Sequence, residues 1–217
     1  MTASTVRLVA FDMEGCLTAD PTVWEIMHRK LGTWASHGEP YWRRYRAGEF
    51  AYDTFAWMDV AVWRGAPRSL LEAAADEVRL MPGAGALLNA LRDRGVAIAV
   101  VSNGLLCVAE RFQRAFGVEH IFANRAVARD GLLTGELDLL LPYDAKGKVA
   151  AELAARLGLS PSQVAAVGDS PQDAAMFEQA GLSVAFGPAD ASLVHAATHH
   201  VPGADLTPVG EILLAAV

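Results

Sequence analysis

The chain has 217 residues, with 18 lysines and arginines against 25 aspartates and glutamates, and a formal net charge of −7. Its hydrophobic residues (53%) and charged residues (20%) are typical of a folded protein of one or two domains and exclude a disordered chain. The acidic balance argues against a general nucleic-acid-binding protein, because displacing phosphate counterions requires a basic face.

Three apolar runs, each followed by a polar turn, predict buried strands. They lie at residues 6–12, 96–102 and 164–169, and they are continuous rather than alternating, which favours parallel strands covered on both faces. Helical patterns at 83–94, 105–116 and 148–157 end beside Gly95, Gly117 and Gly158. This alternation predicts an α/β fold with a doubly wound, Rossmann-like parallel sheet. Asp130-Gly131 predicts the turn of a β-hairpin.

Residues 19–80 break the alternation of strands and helices. They contain no convincing strand and hold all five tryptophans, which predicts a small α-helical cap domain inserted into a core of residues 1–18 and 81–217. We expect most of these aromatic side chains to form the core of the insert, with some lining a substrate pocket. Arg43, Arg44 and Arg46 are expected on a solvated helix face, the alternative being attraction of an anionic substrate.

Polar side chains follow the three predicted strands. Asp12 and Glu14 follow the first, Ser102 ends the second, and Asp169 ends the third. The carboxyl ends of parallel strands form the usual site of an open α/β sheet, so we expect these groups to lie together. Asn103-Gly104 is predicted to open the next helix and to offer backbone N–H groups to an anion.

Two further residues complete this constellation. Asp173 lies four residues after Asp169, and Lys146 precedes a helix. Each group has an ordinary explanation by itself, since an aspartate at a strand end often caps a helix and a lysine before a helix is usually solvated. Together they form an acidic metal site, one cation and an anion site, which suits phosphoryl transfer.

Four segments carry a resemblance to a known family. Phe-Asp-Met-Glu-Gly-Cys-Leu-Thr, Val-Val-Ser-Asn-Gly, Ala-Lys-Gly and Val-Gly-Asp-Ser-Pro-Gln-Asp resemble the four ordered motifs of the haloacid dehalogenase superfamily. The arrangement is most similar to the phosphoserine-phosphatase-like branch, which has a helical C1-type cap after the first motif. The resemblance implies a Mg²⁺-dependent phosphatase, a phosphoric monoester hydrolase with an aspartyl-phosphate intermediate.

The roles that follow agree with elementary electrostatics. A carboxylate about 4 Å from a phosphate is repelled by roughly 4 kcal/mol at an effective dielectric constant near 20, so positive charge must offset it. We expect Asp12 to be the nucleophile and Glu14 the general acid and base. Asp12, the Met13 carbonyl and Asp169 are expected to bind Mg²⁺, and Asp173 to order the metal shell or Lys146. The residues expected to bind phosphate are Ser102, Asn103, Gly104 and Lys146.

Two residues depart from the family pattern. Glu14 stands where the acid/base is usually aspartate, which leaves open whether water or an acceptor alcohol receives the phosphoryl group, as in a phosphotransferase. Cys16 stands where threonine is common, and we expect a small packing residue, the alternative being a redox switch.

The residues of the cap bear on the identity of the substrate. The family's glutamate for the amino group of phosphoserine and its arginine for the carboxylate fall at Pro21 and Asp59, and no arginine adjacent to Asp59 replaces the second anchor. We therefore expect a sugar, cyclitol or amine-bearing phosphate rather than phosphoserine. Phosphoserine phosphatase and a non-catalytic binding protein remain alternatives. The candidate substrate-binding residues of the cap are Asp20, Asp53, Asp59 and Trp63.

The remaining predictions concern location and partners. No run approaches about 18 apolar residues, the beginning of the chain lacks a signal-peptide pattern, and the two cysteines are too few for a disulfide framework. We expect a cytoplasmic monomer or homodimer whose partner is a small phosphorylated molecule, with no nucleic acid and no membrane.

Overall fold

The structure is a computed structural model that describes residues 5–217; residues 1–4 of the predicted core range lie outside the described residues. The strands are β1 (Leu8–Phe11), β2 (Thr18–Ala19), β3 (Arg79–Leu80), β4 (Ala97–Leu105), β5 (His120–Arg129), β6 (Leu132–Asp138), β7 (Val164–Gly168), β8 (Leu182–Phe186) and β9 (His199–Val201). The α-helices are α1 (Val23–Lys30), α2 (Glu39–Arg46), α3 (Tyr52–Val62), α4 (Arg68–Glu77), α5 (Ala84–Asp93), α6 (Leu106–Phe116), α7 (Lys146–Arg156), α8 (Ala174–Phe177), α9 (Ala191–Ala196) and α10 (Thr207–Ala215).

Seven strands form the main sheet, in the order β6-β5-β4-β1-β7-β8-β9. β1 lies in the middle and pairs in parallel with β4 and β7. Leu8 and Ala10 pack in one hydrophobic layer and Val9 and Phe11 in the other, because successive side chains of a strand point to opposite faces. Both faces are therefore covered, and the predicted α/β fold with a mostly parallel sheet is confirmed.

The glycines beside the predicted helix ends adopt the conformation expected of them. Gly95, Gly117 and Gly158 have φ angles of 71°, 70° and 68°. This left-handed region costs other residues energy, so glycine ends the helix there.

The predicted hairpin is also confirmed. Asp130 and Gly131 have φ angles of 51° and 78° and join the antiparallel strands β5 and β6. The hairpin is bonded to the α3–α4 loop, since Gly65 N donates to Leu133 O and Leu133 N donates to Ala66 O, each at 2.8 Å.

Helices α1 to α4 lie in residues 19–80, which we call the cap. The structure adds a short feature that the sequence did not predict: β2 and β3 pair antiparallel, with Thr18 opposite Leu80. This pairing brings together the points where the chain enters and leaves the cap. A single π-helical turn, Trp34–Gly38, joins α1 to α2.

Among residues 5–217, no helix is both long enough and apolar enough to cross a membrane.

Candidate active site

Three adjacent parallel strands bring the predicted core residues together. Asp12 follows β1, Ser102 lies near the end of β4, and Asp169 follows β7, so all three stand at the same edge of the sheet. The Asp12 N–H donates to Val167 O at 2.9 Å, which continues the hydrogen bonding between β1 and β7 and fixes the position of the Asp12 backbone. The three residues also line one cavity of about 630 Å³ between the sheet edge and the cap.

Lys146, the first residue of α7, is the cation of this site. Its Nζ lies 2.8 Å from Asp12 Oδ1 and 2.7 Å from Asp173 Oδ1, and the side chain is only 2% exposed. Burial by itself lowers the pKa of Lys146, but the attraction of the two carboxylates outweighs it and holds the pKa above its usual value. The lysine therefore stays charged beside Asp12.

A cluster of carboxylates faces this lysine. Asp12, Asp169 and Asp173 each offer an oxygen, and these atoms lie within 4.8 Å of one another. Burial, partly offset by Lys146, raises the pKa of Asp12 to about 6. Burial and then the charge of Asp12 raise the pKa of Asp169 to about 9. Hard carboxylate oxygens whose mutual repulsion Lys146 relieves only in part suit a divalent cation, so the residues fit a metal ion.

Two close approaches hold the cluster in this shape. A Cβ on Gly15 would lie 2.0 Å from Asp169 Oδ2, and Gly15 has a φ of 86°. A Cβ on Gly168 would lie 2.3 Å from the Cβ of Asp173. Glycine is therefore required at Gly15 for the loops after β1 and β7 to meet, and at Gly168 for the Asp173 side chain to fold back against the end of β7.

Asp173 supports its neighbours rather than standing free. Its Oδ2 accepts hydrogen bonds from Asp169 N and Ser170 N, both at 3.0 Å, while its Oδ1 accepts from Lys146. Both carboxylate oxygens are thus engaged, which supports the predicted role of ordering the metal shell and Lys146.

The Met13 carbonyl, an expected metal ligand, is occupied within its own loop. It accepts hydrogen bonds from Leu17 N at 2.9 Å, Thr18 N at 2.8 Å and Thr18 Oγ1 at 3.1 Å. The Met13 side chain is fully buried in the core. We therefore do not include the Met13 carbonyl among the proposed metal ligands.

The predicted phosphate-binding segment differs from expectation in its backbone. β4 continues to Leu105 and α6 begins at Leu106, so Asn103 and Gly104 do not open the helix. Gly104 N donates to Ser102 Oγ at 3.0 Å, and the Asn103 side chain donates to the carbonyls of Leu141 and Pro142. The prediction failed here because the polar residues Ser102 and Asn103, with Gly104, lie within the strand at a bulge between Val101 and Leu105, where the apolar pattern had indicated its end.

Asn124 is a site residue that the sequence analysis missed. It is fully buried on β5, donates to Asn103 O at 2.8 Å and to Leu141 O at 3.1 Å, and accepts from Leu141 N at 2.8 Å. Tyr52 of the cap donates its hydroxyl to the same Asn103 carbonyl at 3.2 Å. The backbone that carries Ser102 is thus tied both to the hairpin and to the cap.

Glu14 lies on the cavity wall next to the nucleophile candidate. Burial, followed by the charge of Asp12, raises the pKa of Glu14 to about 7. Its Oε1 is buried and has no hydrogen-bond partner among residues 5–217. A carboxyl group with a pKa near neutrality can both give and take a proton, as a general acid and base must.

The cap closes the opposite side of the cavity. Only some of the predicted substrate-binding residues of the cap face the cavity. Asp20 and Asp59 line the cavity, whereas Asp53 and Trp63 do not. Trp63 is fully buried behind Trp24, with ring centroids 5.5 Å apart, so it belongs to the core of the cap.

Aromatic and basic side chains complete the cap side. The aromatic wall, as we call it, consists of Trp24, Trp34, Trp42, Tyr45, Tyr52 and Phe55, all of which line the cavity. Arg46 and Arg79 also line it, so the cap side carries positive charge although no arginine is adjacent to Asp59 in the sequence. Arg46 packs over Trp42 at 5.6 Å from the ring centroid, and Arg79 donates to Asp20 O.

Cys16 is fully buried, and burial raises the pKa of its thiol well above the usual value. This environment favours the packing role over the redox switch.

Comparisons with known proteins agree with this geometry. The sequence profile of the haloacid dehalogenase-like hydrolases matches residues 9–178. The chain is 30% identical over 181 residues to a phosphoserine phosphatase of Archaeoglobus fulgidus, which covers 83% of this chain and 52% of that protein. It is 29% identical to a phosphoserine phosphatase of Methanocaldococcus jannaschii, over 83% of this chain and 85% of that one. The chain thus spans about half the length of the Archaeoglobus protein but most of the Methanocaldococcus protein.

A solved structure described as a phospho-aspartyl intermediate analogue of phosphoserine phosphatase superposes with a TM-score of 0.84 at 26% identity, covering 97% of this chain and 100% of that one.

Proposed function

This chain belongs to the haloacid dehalogenase-like hydrolase family, and we propose that it is a Mg²⁺-dependent phosphatase acting on a small phosphomonoester through an aspartyl-phosphate on Asp12. The predicted enzyme class, a phosphoric monoester hydrolase, is confirmed by the family match and by the similarity to phosphatases. The metal and the substrate are the proposed parts.

One observation carries the proposal. Lys146 bridges Asp12 and Asp173 at 2.8 and 2.7 Å, and Asp169 completes the carboxylate cluster on the floor of the cavity. A buried carboxylate aimed into a cavity beside a charged lysine meets the requirements for attack on a phosphate. An ordinary structural ion pair would not need the third carboxylate or the open cavity.

The residues divide the chemistry among them. An Asp12 oxygen attacks phosphorus in line, and the bond from phosphorus to the ester oxygen breaks while Glu14 gives that oxygen its proton. Water then attacks the phosphorus, Glu14 takes the water's proton, and the bond to Asp12 breaks. Lys146 and Ser102 hold the other phosphate oxygens. Asp12 and Asp169 would hold Mg²⁺, which supplies positive charge that offsets the repulsion between carboxylate and phosphate.

Phosphoserine becomes the first candidate substrate. The relatives named above are phosphoserine phosphatases, and these names favour the substrate that the sequence analysis placed behind other phosphomonoesters. Arg46 and Arg79 offer positive charge to a carboxylate, and Asp20 and Asp59 offer negative charge to an ammonium group. Both ends of a phosphorylated amino acid therefore have groups of opposite charge in one cavity.

A substrate panel tests the function. The purified chain with Mg²⁺ is expected to hydrolyse p-nitrophenyl phosphate and phosphoserine, and chelation of the metal should abolish both activities. Asp12→Asn is expected to reduce kcat by roughly 10⁴-fold or more, because the nucleophile is lost. Asp53→Asn, a cap aspartate outside the cavity, is the matched control and should retain activity. Undiminished hydrolysis by the Asp12 variant would contradict the proposal.

The two alternative functions, a phosphotransferase and a binding protein, would give different results in this substrate panel. A phosphotransferase would pass phosphate to added alcohols at the expense of inorganic phosphate, whereas the proposed hydrolase releases inorganic phosphate whatever alcohol is present. A binding protein would hydrolyse none of the panel. The cytoplasmic location and the monomeric or homodimeric state stay predictions.

A further inference from the structure

Asp59 is a buried carboxylate whose bonding capacity is not filled. It lies on α3, one helical turn after Phe55, with only 1% of its surface exposed, and it lines the cavity. Its Oδ1 lies 3.1 Å from the Nε2 of His28, and no donor among residues 5–217 bonds to its other oxygen, Oδ2. Burying a carboxylate with one oxygen left unbonded is costly, so this side chain calls for a further partner that carries hydrogen-bond donors.

His28 does not fully supply that partner. Its Nε2 pairs with Asp59 Oδ1 at 3.1 Å, and its Nδ1 lies 2.8 Å from Thr33 Oγ1, so it reaches only one of the two carboxylate oxygens. His28 is itself fully buried. The histidine thus fixes where the carboxylate stands and leaves acceptor capacity on the carboxylate for a group in the cavity.

The surroundings of Asp59 are aromatic. Trp24 and Trp42 both contact Phe55, with ring centroids 5.9 and 5.8 Å from it, and all three rings line the same cavity as Asp59. Trp34 lines it as well. The faces of aromatic rings attract cations, and an ammonium group held by several rings and one carboxylate is a recurrent arrangement in binding sites.

The basic groups of the cavity lie elsewhere. Arg46 and Arg79 are exposed at its edge, Arg46 lies over Trp42, and Arg79 is engaged by the carbonyl of Asp20. The buried position on the cap side is therefore negative and aromatic, while the arginines on that side are exposed to solvent. This buried position favours an ammonium group over a carboxylate.

We propose that Asp59 and the aromatic wall form a subsite for the ammonium group of the substrate, so that the substrate class is phosphate monoesters of amino alcohols, and the carboxylate of phosphoserine is dispensable. This inference rests on the proposed phosphatase function and names the chemistry that selects the substrate. It predicts that a compound with the ammonium group and no carboxylate is as good a substrate as phosphoserine.

Steady-state kinetics on four esters test the subsite. We expect the kcat/KM for phosphoethanolamine to equal or exceed that for phosphoserine, and to exceed that for 2-hydroxyethyl phosphate, its neutral analogue, by at least about 10-fold. Asp59→Asn should lower kcat/KM for phosphoethanolamine by roughly 30-fold, which corresponds to about 2 kcal/mol at 1.4 kcal/mol per tenfold. The same variant should change kcat/KM for 2-hydroxyethyl phosphate and p-nitrophenyl phosphate by less than about 3-fold.

The controls separate selection from folding. Asp53→Asn changes a carboxylate on the same helix that does not line the cavity, so it should leave the substrate ratios unchanged. Trp42→Leu changes a half-exposed side chain of the wall and should reduce kcat/KM for phosphoethanolamine more than for the neutral ester. Equal turnover of the charged and neutral esters, a 10-fold preference for phosphoserine over phosphoethanolamine, or an equal loss on all esters in Asp59→Asn would overturn the inference.

A binding measurement tests the ammonium subsite independently of catalysis. In the Asp12→Asn variant, phosphoethanolamine should quench the fluorescence of the cap tryptophans at lower concentration than 2-hydroxyethyl phosphate does. No difference between the two ligands would also overturn the inference. Failure to hydrolyse p-nitrophenyl phosphate would instead refute the proposed function, and the fluorescence result would still answer the question of the ammonium group.

Discussion

The two sides of the cavity are built differently. On the core side Lys146 contacts two carboxylates, Asp173 accepts four hydrogen bonds, and the Ser102 hydroxyl accepts from Gly104. On the cap side Asp59 contacts only His28, at 3.1 Å, and the indole nitrogen of Trp24 is buried without a hydrogen-bond partner among residues 5–217. Apart from the proton-transfer group Glu14, whose Oε1 is also unbonded, the core side holds its catalytic groups in one geometry, whereas the cap side keeps bonding capacity free.

This difference separates two tasks. The attack on phosphorus is the same for every phosphomonoester, so the groups that perform it can be fixed in advance by the ends of adjacent strands. The rest of the substrate varies, and the groups that recognise it must be left for the substrate to satisfy. Variants on the core side should therefore affect all substrates alike, and variants on the cap side should affect the choice among them.

After Asp12→Asn, Lys146→Met is expected to have the largest effect on the core side. It removes the cation between Asp12 and Asp173, so kcat should fall by roughly 10³-fold on every ester, since this charge stabilises the transferring phosphate. The two carboxylates would stay buried without their cation, and the free energy of unfolding without metal should fall by about 3–5 kcal/mol. Kinetics on the ester panel and urea denaturation measure the two effects.

Lys148→Met is the matched control, because Lys148 lies two residues further along the same helix and its side chain is 77% exposed. We expect it to change neither quantity measurably. A loss confined to amino-bearing esters in Lys146→Met would contradict the division between the two sides.

The same division explains what the sequence could predict. Asp12, Ser102 and Asp169 follow apolar runs, and the rule that the carboxyl ends of parallel strands meet at one edge is enough to bring them together. Lys146 and Asp173 were named from their positions beside predicted helices, and the resemblance to the family's motifs then supplied their roles. Local pattern did not show where β4 ends, because Asn103 and Gly104 continue the strand through a bulge.

The cap could not be predicted in the same way. Asp53 and Asp59 both lie on α3, six residues apart, which is about 600° of helix and places them about 120° apart around its axis. They therefore face different surroundings, and only the packing of α3 decides which of them faces the cavity. The sequence analysis named both, and the structure places Asp59 on the cavity wall and Asp53 outside it.

Asn124→Leu should have a smaller effect that is still independent of the substrate. The change leaves Leu141 N without its acceptor and removes donors from the carbonyls of Asn103 and Leu141, so the free energy of unfolding should fall by about 2–3 kcal/mol. The Ser102 segment should become less well positioned, and inhibition by inorganic phosphate should weaken by roughly 10-fold, about 1.4 kcal/mol. Asn89→Leu, a half-buried amide without a side-chain hydrogen bond among residues 5–217, serves as the control. Unchanged phosphate inhibition together with lost stability would limit Asn124 to a structural role.

Tyr52→Phe should have the smallest effect and tests the contact between the two sides. The Tyr52 hydroxyl donates to Asn103 O at 3.2 Å, and this carbonyl keeps the hydrogen bond from Asn124 when the hydroxyl is removed. The free energy of unfolding should therefore fall by about 1 kcal/mol or less, and kcat by about 2-fold. Tyr41→Phe, a cap tyrosine outside the cavity, is the control in the same measurements. Because Tyr52 belongs to the aromatic wall and yet bonds to the phosphate-binding segment, its variant shows whether the two sides act separately. If kcat falls about 2-fold for both phosphoethanolamine and 2-hydroxyethyl phosphate, the Tyr52 hydroxyl serves the core side alone. A changed ratio of their kcat/KM values would instead mean that this hydrogen bond also affects substrate selection.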